Sequence, residues 1–282
     1  MRLSPQLTQR LAWGFIWAAG IISVLFLAFI VVYVLSRGLS LLTPEFLFTE
    51  PKGGISGEGG ISSVIVSTLW LIGITMAILI PLGVGAAIYL AEYAGDNWFT
   101  RVIRYSVELL AGVPSIVFGL FGFAVFCIAL HLSFSILSGA LTLACLLLPF
   151  LVRSAEEAMR AVPHSQREAA LALGATKWQM VTNVVLPGAI PGIVTGIILC
   201  IGGAVAESAC LFVTMGGSAE MPTSFLSGGR SLAVHVYYLA TETTALDKAL
   251  ATAAVLIITI LIINLITKLL SRRIRARMEG KS

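Results

Sequence analysis

Charge is scarce in this sequence. Asp, Glu, Lys and Arg make up only 11% of 282 residues, against 58% hydrophobic residues and a mean hydropathy of +0.98. Soluble domains carry about 25% charged residues, so this chain has too few to build a polar shell around a core of its size, and lipid is the solvent it fits. Histidine is scarce too. His131, His164 and His235 fall in different connecting or boundary segments, and no Ser/His/Asp or metal-ligand spacing accompanies them. The four cysteines, Cys127, Cys145, Cys200 and Cys210, all lie inside apolar runs with no C-x-x-C, as small core residues do. The phosphate-binding motif G-x-x-x-x-G-K-[ST] is missing. Its nearest approach, Gly174-Ala175-Thr176-Lys177-Trp178, has Thr176 where Gly should precede the Lys and Trp178 where Ser or Thr should follow. No catalytic residue, metal site or cofactor is therefore expected on this chain. The net charge of +4 does not imply nucleic acid, because the basic residues cluster at the ends of apolar runs.

Long apolar runs are what the sequence has in abundance. A membrane span needs about 20 such residues, and six runs qualify: 11–35, 61–93, about 109–130, about 134–152, about 189–215 and about 250–270. The first is longer than the ~7–15-residue core of a signal peptide and is expected to remain as a span. Polar and small residues at His131–Ser135 predict a hairpin turn between the third and fourth runs. Six spans leave only Arg37, Lys52, Arg230 and Lys248 on one side, with the other fourteen Lys and Arg opposite. The positive-inside rule then puts both termini of this multi-pass membrane protein in the cytoplasm. The expected fold is all-α: one membrane domain over 1–282, with a five-span core at 61–272.

Between the fourth and fifth runs, residues 153–187 form a cytoplasmic segment too long for a tight turn and rich in helix formers. A short helix is predicted to close near Gly174, and a second to run from about Thr176 to Val185 and stop near Pro187. Trp178, Met180 and Val181 give this pair more apolar surface than a solvated loop needs, as a partner-docking surface would have. Glu168-Ala169-Ala170 is followed after three residues by Gly174, and after nine more by Val184-Val185-Leu186-Pro187.

That spacing resembles the signature loop of ABC-importer permeases. The resemblance implies the type I importer fold, and it implies that Glu168, Ala169, Ala170, Gly174, Leu186 and Pro187 belong to the coupling loop that meets an ATPase subunit. Further stretches resemble the phosphate-specific permeases of the PstA type: Pro81 to Tyr93, Leu109 to Gly122, Arg153-Ser-Ala-Glu156, Ala206-Glu207-Ser208-Ala209 and Ser231 to Tyr237. Implied partners are a second homologous permease, two ATP-binding subunits that hold ATP and Mg²⁺, an extracytoplasmic phosphate-binding protein and membrane lipid, with no nucleic acid. The segments 38–60 and 216–248 would receive the binding protein.

For an anion path, Pro114 breaks the backbone ladder in the third span, and N–H groups freed around Ser115 could face the substrate. On residue chemistry alone, a kink with small-residue packing accounts for the same pattern. Arg153 and Glu156, three apart, are expected to share a helix face and pair, near the path by resemblance or as interfacial anchors. Glu207 lies in the fifth run, where a carboxylate is costly, and is expected to line the path, paired with a cation or protonated. The family often carries an Arg just before the Glu207 motif, whereas Cys200 to Ala206 contains no base. Importers of phosphonate, molybdate or sulfate remain alternatives to phosphate. An ion-driven carrier would need charge relays and inverted repeats that the sequence does not display.

Overall fold

The computed structural model describes residues 5–52 and 57–278. Regular structure among them is helical, with only two isolated bridges, Pro51 to Gly59 and Gly216 to Gly229. Apolar runs in lipid can satisfy their backbone groups only within the segment, which is why each becomes a helix. The helices are α1 (Pro5–Gly38), α2 (Pro44–Phe48), α3 (Ser62–Tyr93), α4 (Trp98–Ala111), α5 (Ser115–Ala129), α6 (Ile136–Arg160), α7 (His164–Ala172), α8 (Lys177–Ala206), α9 (Ala209–Phe212), α10 (Leu232–Thr241) and α11 (Leu246–Met278). Five of them are long and apolar enough to cross a membrane, and α4 with α5 meets the same measure of length and apolarity only as a bent pair.

The helices α3 and α6 form the centre, with Leu71, Leu79, Leu143 and Leu151 fully buried between them and their neighbours. Small residues let the backbones approach closely. A Cβ on Gly83 would lie 2.8 Å from Leu151 Cδ2, and one on Gly192 would lie 2.5 Å from the Ala158 Cβ. Helix α5 packs through Gly119 against α9 and through Gly122 against Thr142 of α6. By contrast α1 is exposed along most of its length. It meets the remainder at its end, where Gly38 seats on Leu250 and Ala254 of α11.

The hairpin between the third and fourth runs is present, with His131 and Ser133 at positive φ (54° and 52°). Their strain is held by Leu132 N–H donating to the Phe126 carbonyl and Ser133 N–H to that of Cys127. Three boundaries differ from the sequence expectation. The third run is not one span from 109 to 130. It breaks at Gly112–Pro114, and α4 and α5 meet at 104°. Pro114 has no N–H to continue the ladder, and α4 carries Arg101, Arg104 and Glu108 at helical spacing, a face that cannot enter hydrocarbon. Nor does the second loop helix stop at Pro187. The chain runs on as one 30-residue helix, α8, because a widened π-type turn over Val181–Val185 makes room for the Pro187 ring. The fifth span in turn ends at Ala206, not near residue 215, with Glu207 in extended conformation.

Crowding around Gly119 gives a direct test of the α5–α9 contact. Its absent Cβ would sit 2.8 Å from the Cys210 Cα, a backbone atom that cannot swing away, whereas a Cβ on Gly73 meets nothing within 4 Å. Gly119→Val should lower stability in detergent by about 1–3 kcal/mol, and Gly73→Val should leave it near wild type, both read by thermal unfolding of the isolated chain.

Candidate functional site

Three groups of residues stand out, at different depths of the bundle. The first is the loop between α6 and α8. Glu168 and Ala169 are exposed on α7, with Ala170 half-buried beside them. Gly174 closes the turn at φ +85°, a left-handed conformation that favours glycine, with its N–H donating to the Leu171 carbonyl at 3.0 Å. Thr176 then caps the start of α8 in a reciprocal box with Gln179. Leu171, Leu173 and Trp178 stand exposed around this turn, Leu173 by 90%. Such a contiguous apolar patch beside an acidic residue is a docking surface in form. Leu186 and Pro187 do not share it. They are half-buried within α8, where Leu186 packs on the buried cluster of Met159, Val181 and Val185.

The second group is a ring of charges where α4 crosses α6. The expected Arg153–Glu156 pair does not form. Arg153 instead bonds Glu157 one full turn on (Nε to Oε1, 3.1 Å) and approaches Glu108 at 3.7 Å. Glu156 is held between two other guanidinium groups, Arg104 of α4 at 3.0 Å and Arg160 at 2.8 Å. The i,i+4 spacing wins on α6, and the packing of α4 supplies the rest. Arg104 also donates to the Leu90 carbonyl at 2.9 Å, tying α3 into the ring. The Arg153 pairs are more than half exposed and add little to stability, whereas the Glu156 side chain is only 12% exposed. These six charges, with Leu90 and Val107, line a cleft of about 590 Å³. Arg104, Glu108, Glu157 and Arg160 were not singled out from the sequence. The i,i+4 spacing of Arg104 with Glu108 was the available signal.

The third group joins the two helix interruptions. A groove of about 470 Å³ is lined by Ile116 in the first turn of α5, Ser208, Ala209 and Phe212 after the end of α8, and Val234 and Tyr237 of α10. Pro114 is exposed and Ser115 half-buried just before Ile116 in the chain, and neither lines the groove itself. The first N–H groups of α5 have no carbonyl a turn behind them in that helix. Glu207 corrects a second expectation. Among the described residues no base pairs with it. Its Oε1 instead accepts from the N–H of Ser208 (3.1 Å) and of Ala209 (3.0 Å). The carboxylate satisfies backbone donors left open where α8 stops and α9 begins, which is what an interruption in an apolar setting requires.

At the far end of the bundle, Arg230 fixes the segment between α9 and α10. It donates to the Gly217 carbonyl from Nε (2.9 Å) and Nη2 (2.6 Å), lies 4.0 Å over the Tyr238 ring and donates to His235 Nδ1 at 3.2 Å. Burial, and then the neighbouring Arg230, push the His235 pKa down to about 3, so the imidazole stays neutral and accepts that bond.

A bundle with a half-exposed helix turn at one end and a lined groove at its helix breaks has counterparts among known proteins. The family described as "Binding-protein-dependent transport system inner membrane component" matches residues 79–280.

The chain belongs to this family.

The "Probable ABC transporter permease protein YqgI" of Bacillus subtilis is 35% identical over 99% of this chain and 100% of its own length. The "Phosphate transport system permease protein PstA 1" of Mycobacterium tuberculosis is 34% identical over 94% of this chain and 89% of its own. Among solved structures, a bacterial alginate ABC transporter in complex with an alginate pentasaccharide-bound periplasmic protein matches with a TM-score of 0.69. It is 17% identical, covering 98% of this chain and 99% of that one. The fold is that of a type I ABC importer permease, and the family makes this chain a multi-pass membrane component of such a transport system.

Capping by Glu207 predicts a stability pattern. Glu207→Ala leaves two backbone donors without their acceptor and should cost about 1–3 kcal/mol. Glu207→Gln keeps an acceptor oxygen in place and should recover most of it. Thermal unfolding in detergent measures both.

Proposed function

We propose that this chain is a permease subunit of an ATP-driven ABC importer for inorganic phosphate. The substrate assignment is carried by the likeness, over most of both chains, to a permease named for phosphate transport. The loop carrying Glu168, Ala169, Ala170 and Gly174 docks an ATPase subunit, and its exposed Leu171, Leu173 and Trp178 support that reading. Two such subunits bind ATP with Mg²⁺, and this chain itself hydrolyses nothing. With both termini and the loop in the cytoplasm of the inner membrane, as the distribution of Lys and Arg favours, the opposite end receives an extracytoplasmic phosphate-binding protein. A second, homologous permease completes the path.

Phosphate crosses along the groove between the helix breaks at Pro114–Ser115 and Glu207–Ser208. An anion needs hydrogen-bond donors there, because unpaired charge in hydrocarbon is very costly. Ser208 and the first turn of α5 offer donors at the groove, and a base from the second permease supplies the positive charge missing between Cys200 and Ala206. Arg153 and Glu156 stand below it in the charged cleft, where phosphate can exchange ion-pair partners on its way out.

The complex with the second permease, the ATPases and the binding protein, reconstituted in proteoliposomes, should take up radiolabelled phosphate only with ATP. Excess sulfate or molybdate should leave that uptake unchanged. ATP hydrolysis indifferent to phosphate, with no uptake, would contradict the assignment. Gly174→Asp strains a left-handed turn and adds charge to the docking surface. It should weaken ATPase retention and uptake by roughly tenfold, equivalent to about 1.4 kcal/mol of docking energy.

A further inference from the structure

Beside the exposed Glu168 lies a residue that faces the other way. Arg167 is buried, its side chain only 10% exposed, and its guanidinium reaches two spans at once. Nη2 bonds Glu92 Oε1 at 3.0 Å, and the Glu92 side chain is itself only 6% exposed. Nη2 also donates to the Met159 carbonyl at 2.7 Å, and Nη1 to the Val162 carbonyl at 3.0 Å. Glu92 sits in the widened last turn of α3. Met159 belongs to the last turn of α6, its carbonyl also accepting from the Val162 N–H at 3.1 Å, and Val162 follows the helix end. A cation there also meets the negative end of the α6 dipole.

We infer that Arg167 is a positioning residue that transmits movement of the loop helix α7 into α3 and α6, and so couples ATPase motion to the transport path. This rests on the proposed importer function. The geometry supports it in three ways. The planar fork holds two spans and α7 through a single side chain, which the point charge of Lys cannot reproduce. The contact lies one residue from Glu168, so displacement of the docking surface reaches it without an intervening hinge. Its two targets are also the central pair of the bundle, and α6 continues to the Gly122 and Gly139 contacts that seat α5 and the segment after α9. Among the described residues the other ties from the loop to the spans are apolar packing by Val162, Met180 and Val181, which resists separation better than it fixes direction, and Lys177 Nζ lying 5.0 Å over the Tyr93 ring of α3.

The test uses the full complex in proteoliposomes, measuring ATP hydrolysis, phosphate uptake and ATPase retention together. In Arg167→Lys and in Glu92→Gln the ATPase should stay bound and hydrolysis should continue. ATP hydrolysed per phosphate imported should rise roughly 2–30-fold, the span seen for residues that couple distant sites. Hydrolysis and uptake falling together at an unchanged ratio would reduce the contact to a structural one and overturn the inference. Loss of the ATPase from the complex would overturn it too, by making Arg167 part of the docking surface. Should either variant fail to assemble, Glu92→Asp, which keeps the charge and shortens the reach, is read by the same ratio. A wild-type complex that imports no phosphate sinks the proposed function itself. Wild-type import with unchanged variant ratios sinks only the coupling role.

Discussion

A backbone amide without a partner is not tolerated in hydrocarbon, and this chain interrupts its helices inside an apolar bundle twice. Everything distinctive in the structure follows from how those interruptions are managed. At Gly112–Pro114 the ladder stops because proline cannot continue it, and the chain turns through 104°. After Ala206 the Glu207 carboxylate takes up the next two N–H groups, so that a four-residue helix can begin at once. The groove between the breaks is therefore a consequence of backbone accounting as much as of side-chain choice. Uninterrupted helices would present only side chains to a passing anion.

Holding two breaks in register requires rigid surroundings. Glycine at 119 and 122 lets α5 sit directly on α9 and α6, where larger residues would push the breaks apart. Helix α6 then links the groove to the opposite end of the bundle. There Glu156 is fixed between Arg104 and Arg160, and the carbonyls at its end are held by Arg167. Two ion-pair systems at one helix end give a single rigid element two defined connections, one to α4 and one to α7 and α3. A continuous, stiff route from an exposed loop to a lined groove is the mechanical requirement of a subunit driven from outside its own chain.

Much of this was legible in the sequence because lipid imposes simple rules. The apolar runs, the hairpin at His131–Ser135 and the loop closing at Gly174 follow from length, small residues and the positive φ that glycine supplies. The misreadings share a cause. Pro187 is a stop signal by local rules, yet a wider turn at Val181–Val185 absorbs its ring. Spacing alone pairs Arg153 with Glu156, but Arg104 lies 52 residues away and reaches Glu156 only because α4 folds against α6. Arg167 and Glu92, 75 residues apart, carried no local signal for the same reason. For Glu207 the apolar run implies a cation partner or a proton, and no base pairs with it among the described residues; its Oε1 accepts from its own following amides. Local rules locate the elements, and tertiary packing chooses the partners of buried charges.

The central claim is that the groove between the two helix breaks is wetted in the working transporter. Substituted-cysteine labelling tests it most directly, with Ile116→Cys and Ser208→Cys placed singly in the assembled complex. Cys145, the one half-buried native thiol, would be replaced by Ala, since Cys127, Cys200 and Cys210 are buried. A membrane-impermeant maleimide should modify both positions, from one side without nucleotide and from the other when ATP is trapped. Modification only by a lipid-soluble reagent, unchanged by ATP, would contradict the account.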